Sequence, residues 1–366
     1  MANRSPLRAP FLRVVAAASL AGVSSLVGCG GSDSGASPDD ASALGDSPCC
    51  TNPPGPDTGP YDGGDSGSGD APADTIAPGS GPTAFGCPVF PADNEWNRDV
   101  SGDPVDPNSA NYLSTMNATK SLHPDWGAAT DLYGIPFIGV PATQAKVPIV
   151  FSYADESDPG PYPIPADAPI EGGSAGSGDR HVLAIDRGSC LLYEMFDSRK
   201  DPTGAGWTAG SGAVWDLRSN KLRPEGWTSA DAAGLPIFPG LARTEEVLDA
   251  GEIKHALRFT MNSTQKAYVH PATHQASSKT DPNLPPMGLR VRLRASFDVS
   301  TFSPAAQVVL KALKKYGMFV ADNGSDWFIS GSSEDKWAPV MDSLNADFRK
   351  VHGSDFEVVK LGTIVK

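Results

Sequence analysis

Three of the six histidines fall in one stretch, residues 253–300, as His255, His270 and His274. Histidine has the side-chain pKa nearest neutrality, so it is the first candidate for moving protons. Tyr268 stands two residues before His270, and Arg290, Arg292 and Arg294 follow at alternate positions. Two chemistries can be built here. In the first, the arginines and His274 hold an anionic glycan by its uronate groups while His255, His270 and Tyr268 move protons, which is β-elimination. In the second, two carboxylates cleave a glycosidic bond, one as acid and one as base or nucleophile. Glu194 with Asp216, or with Asp322, would be that pair, and no spacing around them amounts to a strong glycosidase signature.

Each group also has a structural use. His270 and His274 are four apart, a metal-ligand spacing on a helix, but Pro271 between them makes a strand end or turn the expectation. His255 is the only obvious third ligand, so neither a metal nor a cofactor is expected. Three arginines in register on one strand face repel unless carboxylates or a bound anion intervene. The stripe is therefore either laced to neighbouring Glu and Asp or an anion site. Glu194 lies among large residues on a strand pattern, where a partnered structural carboxylate is the ordinary role. The run from Asp322 to Asp326 lacks the spacing of a calcium loop and reads as a turn. No Gly-rich loop opens a helix after a strand and no serine has a GxSxG context. Trp96, Trp126, Trp207, Trp227, Trp327 and Trp337 suit sugar stacking or core packing, with packing the default.

The elements that position these groups are mostly short strands. Residues 181–186 and 190–197 read as a β-hairpin around Arg187-Gly188-Ser189. Further strands are expected at 147–153, 211–217, 254–261, 267–270 and 289–298, and a hairpin joins 318–322 to 327–330. The clearest helix is 304–316, with Ser303 as N-cap, Pro304 at the first turn and Gly317 past the end. Short helices are expected near 109–117, 229–233 and 245–250. Strands outnumber helices without βα alternation, so the predicted fold is mainly β: an antiparallel two-sheet sandwich, jelly-roll-like, with one packed helix and long loops.

The N-terminus carries an address. Arg4, Arg8 and Arg13 precede an apolar run too short and too rich in Ala, Gly and Ser to span a bilayer. The run ends Leu26-Val27-Gly28-Cys29, which resembles the lipobox of bacterial lipoproteins. That resemblance implies a signal peptide over 1–28, lipidation of Cys29 and, with Gly30 following, an outer-membrane or cell-surface location. Residues 29–85 then read as a disordered Gly/Ser/Pro/Asp tether, with nine Asp and no Lys or Arg after Cys29. Its end-to-end distance is on the order of 40 Å. The formal charge of −14 divides into +3 from the leader, −9 from the tether and −8 from Gly86 onward. No basic face points to a nucleic-acid partner.

Residues 86–366 form one globular domain. Cys87 opens it and Cys190 begins a strand, so in an oxidising compartment a Cys87–Cys190 disulfide is expected. The runs DRHVLAID, CLLYE, GEIKHAL, HPATH and LKKYGMFVADNG resemble a set of uncharacterised exported bacterial proteins, and the whole is loosely similar to β-sandwich carbohydrate-active proteins. These likenesses imply a surface-tethered, carbohydrate-directed protein with a polysaccharide as partner and supply no catalytic residues. The alternative is a non-catalytic carbohydrate-binding or surface structural lipoprotein.

Overall fold

A computed structural model describes residues 81–366; the expected signal peptide, Cys29 and nearly all of the expected tether lie outside them. The described chain is β-rich. Its largest sheet has six strands in the order Phe356–Val358, Arg290–Leu293, Met318–Asn323, Leu257–Met261, Phe328–Ser333 and His123–Gly127. A four-stranded sheet runs Ser211–Asp216, Leu191–Phe196, Val182–Asp186 and Phe137–Val140. A three-stranded sheet joins Ile149–Phe151, Trp207–Ala209 and Arg199–Lys200, and a two-stranded ribbon pairs Thr83–Ala84 with Cys87–Pro88.

The sheets are mixed, not purely antiparallel. Leu257–Met261 lies parallel to Met318–Asn323, Phe328–Ser333 to His123–Gly127, Phe137–Val140 to Val182–Asp186, and Ile149–Phe151 to Trp207–Ala209. The hairpin expected at 318–330 does not form, because the Leu257–Met261 strand inserts between its two arms. The expected 181–197 hairpin does form, with Asp186 opposite Leu191. The Asp186 carboxylate accepts from Gly188 N and Ser189 Oγ at 2.8 and 2.7 Å, which closes the connection.

The core follows the period of two. On Val182–Asp186, Leu183 and Ile185 enter the main core, while Val182 and Ala184 face a second cluster with Tyr162, Tyr193, Met195 and Trp207. The strand is buried on both faces, which explains its unbroken apolar run. The main core also takes Phe259, Met261, Val291, Leu293 and Ile329 from the six-stranded sheet, so one core joins the two large sheets.

There are three α-helices among the described residues: Ser109–Thr115 and Pro304–Lys315, both expected, and Met341–Phe348, which was not. Pro304–Lys315 stops at Gly317, whose φ of +68° suits glycine alone. Ser303 is its N-cap, but its side chain makes no cap bond; its backbone N–H donates to Asp347 instead. Glu245–Ala250 is a π-helical turn, and residues 229–233 form turns with no helix. Cys87 and Cys190 are joined by a disulfide that ties the first ribbon to the edge of the 181–197 hairpin.

Candidate functional site: an acidic pocket on a buried ionic network

Arg258 organises the site. It lies on Leu257–Met261, where Leu257 and Phe259 turn into the core and Arg258 takes the other face. Its Nε and Nη2 donate to Asp231 at 3.0 and 2.8 Å, and Nη1 donates to Ser330 Oγ at 2.5 Å. Both ions are buried, at 3% and 1% exposure, so the pairing must offset a large desolvation cost. The Ser229 hydroxyl accepts from Asp231 N at 2.9 Å and donates to Leu235 O at 2.6 Å, which holds the 229–235 turn that presents Asp231.

Asp322 reaches the same place through a β-bulge. In the pairing of Leu257–Met261 with Met318–Asn323, Phe259 faces Val320 and Thr260 faces Asp322, so Ala321 is the extra residue. The bulge puts Asp322 beside Thr260, on the face that Arg258 occupies. Burial and then the Asp231 charge push the Asp322 carboxyl up to about 7; Asp179 adds to this and Arg258 opposes it. Asp231 is also raised by burial, against the pull of Arg258. Of these two carboxyls, the one clamped by the guanidinium keeps its charge and Asp322 keeps the proton.

Asp231 and Asp322 line a pocket of ≈ 440 Å³ together with exposed Asp179, Glu156, His274 and the aromatic rings of Tyr153 and Phe196. His274 Nδ1 donates to the Ala232 carbonyl at 2.8 Å, which leaves Nε2 as its free nitrogen. Behind the pocket is a second buried ion pair. Burial alone would depress His181, but Glu171 at 2.7 Å raises it to about 9, and its other nitrogen donates to Ala230 O. Arg180, next in the chain, donates to the carbonyls of Gly173, Ser174, Gly176 and Ser198, so the Gly-rich loop over residues 172–178 is wrapped around one guanidinium. In the sheet, Ser330 pairs with Asp125, whose carboxylate accepts from the Tyr133 hydroxyl at 2.5 Å. Burial raises Asp125.

The other sequence-level candidates divide into separate places. His274 and Asp322 belong to the pocket. Glu194 sits next to the network but is fully enclosed. It accepts from Ile237 N, Phe238 N and Trp215 Nε1, and burial lifts it to about 7 against those backbone donors. Asp216 is exposed on the neighbouring strand and bound to Arg218. His255 is buried away from the pocket, with one nitrogen on the Ala256 carbonyl and the other on Glu246 at 3.0 Å. Tyr268 and His270 meet on exposed Glu225, at 2.5 and 2.6 Å.

Arg290 and Arg292 are buried and engaged. Arg290 donates to the carbonyls of Tyr316 and Arg98 and pairs with Glu95; Arg292 donates to Val100 O and Glu357. Only Arg294 of the three is exposed. Six of the seven tryptophans are buried, Trp215 among them, and Trp227 is half-buried. Asp326 accepts from Asn262 N, a turn contact, while Asp322 accepts from Asn323 N and still lines the pocket. Among the described residues, no three His, Cys, Asp or Glu side chains are grouped as a metal would require.

Arg258, Asp231 and Asp179 were not legible as site residues beforehand. One signal was present: Arg258 is a charge flanked by core residues inside a strand pattern, and such a charge needs a buried partner. No family model, curated protein or solved structure matches this chain.

Proposed function

We propose that this domain is a carbohydrate-directed enzyme, held to the bacterial envelope through lipidated Cys29, that hydrolyses a glycosidic bond in the acidic pocket. The observation that carries the reading is Asp322, a carboxyl raised to about 7 beside the second carboxylate Asp179 in one open pocket. A carboxyl that holds its proton towards neutrality, facing one pocket with a second carboxylate, is what acid–base cleavage of an acetal needs. Asp322 gives its proton to the leaving oxygen as the glycosidic bond breaks. Asp179 takes a proton from the water whose oxygen bonds to the anomeric carbon. Tyr153, more than half exposed at the pocket, offers a ring face for a sugar. The same reading takes the two large sheets as a sandwich of jelly-roll type, with the pocket at its rim.

Elimination from a uronate finds less support, since Arg290 and Arg292 are committed to protein partners. The test is incubation of the full chain with a panel of polysaccharides, reading both reducing ends and unsaturated products. Reducing ends should appear from a neutral glycan. Asp322→Asn should cut the rate by about a hundredfold or more while binding persists. Unsaturated products would instead favour elimination, and binding without release would favour the non-catalytic module.

A further inference from the structure

A second feature shares none of the acidic pocket's lining residues, and at one end Arg223 separates the two by donating to the Glu156 and Thr228 carbonyls. Three depressions of ≈ 550, ≈ 250 and ≈ 260 Å³ adjoin one another on the surface. The first two share Trp215, Lys221 and Leu222; the second and third share Glu95 and His270. Together they make one elongated groove, a shape suited to a chain more than to a compact metabolite.

The chemistry of its walls is asymmetric. Three of its carboxylates are ion-paired within the fold, Glu95 with Arg98 and Arg290, Asp158 with Arg223, and Asp216 with Arg218; Asp93 accepts from the Asn220 amide and keeps its charge. None of them is taken up by the groove lysines. Lys221, in the shared part of the first two depressions, and Lys360, in the third, are both exposed. Between them stands His270, exposed and bonded to Glu225. At the far end Trp227 is half-buried, its ring 5.6 Å from the Arg223 guanidinium, which also lies 5.8 Å from Trp215. Arg223 in turn is fixed by Asp158, Thr228 O and Glu156 O, so Trp227 rests on a rigid support. An aromatic face fixed at one end and two ammonium groups spaced along an open trough complement a polymer with pyranose rings and regularly spaced anions.

We propose that this groove is a second, non-catalytic binding site for a linear anionic polysaccharide, gripped by Lys221 and Lys360 and stacked on Trp227. It does not depend on the chemistry assigned to the acidic pocket. A tethered protein with such a site would stay on an acidic matrix while the pocket works on another bond or another chain.

The experiment is calorimetric titration of the full chain with oligogalacturonate and with a neutral cello-oligosaccharide of equal length. The acidic oligomer should bind and the neutral one should bind at least about tenfold more weakly, with the difference shrinking as salt rises. The double variant Lys221→Glu, Lys360→Glu should weaken binding by about a hundredfold, roughly tenfold for each lost charge-assisted contact. Both lysines are exposed, so unchanged melting of that variant separates lost binding from lost fold. Asp322→Asn should bind the oligomer like the wild type. No binding, equal binding of the two oligomers, or a double variant that binds as the parent does would each overturn the proposal. Loss of binding in Asp322→Asn alone would place the oligomer in the acidic pocket and overturn it too.

Discussion

Asp322 shows how one side chain takes its properties from neighbours distant in sequence. Its carboxyl is raised by burial and by Asp231, which Arg258 clamps on the face to which the bulge at Ala321 brings Asp322. The sign of the consequence for stability follows directly. Below its ordinary pKa of 3.8, Asp322 is protonated in both folded and unfolded chains, and its contribution is fully present. As pH rises from about 4 towards 7, the unfolded chain releases the proton and the folded chain keeps it, so stability is lost across that window. Asp322→Asn cannot titrate. Its melting temperature should therefore gain on the wild type steadily between pH 4 and pH 7.5, measured by thermal denaturation in matched buffers. Parallel curves for the two proteins would mean that Asp322 titrates in the fold as it does in the unfolded chain.

Among the elements, the Cys87–Cys190 disulfide and the 181–197 hairpin act together. The bridge spans 103 residues and fastens the Thr83–Ala84/Cys87–Pro88 ribbon to the chain just before the Leu191–Phe196 strand, on which Glu194 sits. Phe85 in that ribbon packs over Gly139, where an added Cβ would lie 2.6 Å from its ring, so the ribbon seats closely on the outer strand of the sheet. Closing so long a loop restricts the unfolded chain. Replacing both cysteines by serine should cost about 2–4 kcal/mol in urea unfolding. A loss well below 1 kcal/mol would show that packing of the ribbon, and not the crosslink, holds it in place.

At the scale of the whole molecule, the pocket and the groove belong to the globular part, and the address belongs to the chain before it. Among the described residues no helix is long and apolar enough to cross a membrane, so the lipid on Cys29 is the attachment we propose. Several acyl chains on one residue anchor stably where one does not. Cells expressing Cys29→Ala should release the protein from the membrane fraction and lose labelling by a fatty-acid analogue, while the wild type keeps both. Retention of the variant at the membrane would require another attachment.

Apart from the disulfide, whose two cysteines are 103 residues apart, what could be read from the residues alone was what depends on near neighbours. The Pro304–Lys315 helix follows from an apolar face, Pro304 and Gly317; the 181–197 hairpin from alternation around a three-residue connection; the disulfide from two cysteines in the globular part. The site was decided elsewhere. Asp231 and Arg258 are 27 residues apart, and no local pattern pairs them. Asp322 takes its face from a bulge at Ala321, and a single extra residue reverses what alternation predicts. The arginine stripe alternated as read, but whether Arg290 and Arg292 met solvent or Glu95 and Glu357 depended on which segments covered them. Local periodicity reports which side of a strand a residue takes, and only the long-range pairing of strands decides what waits on that side.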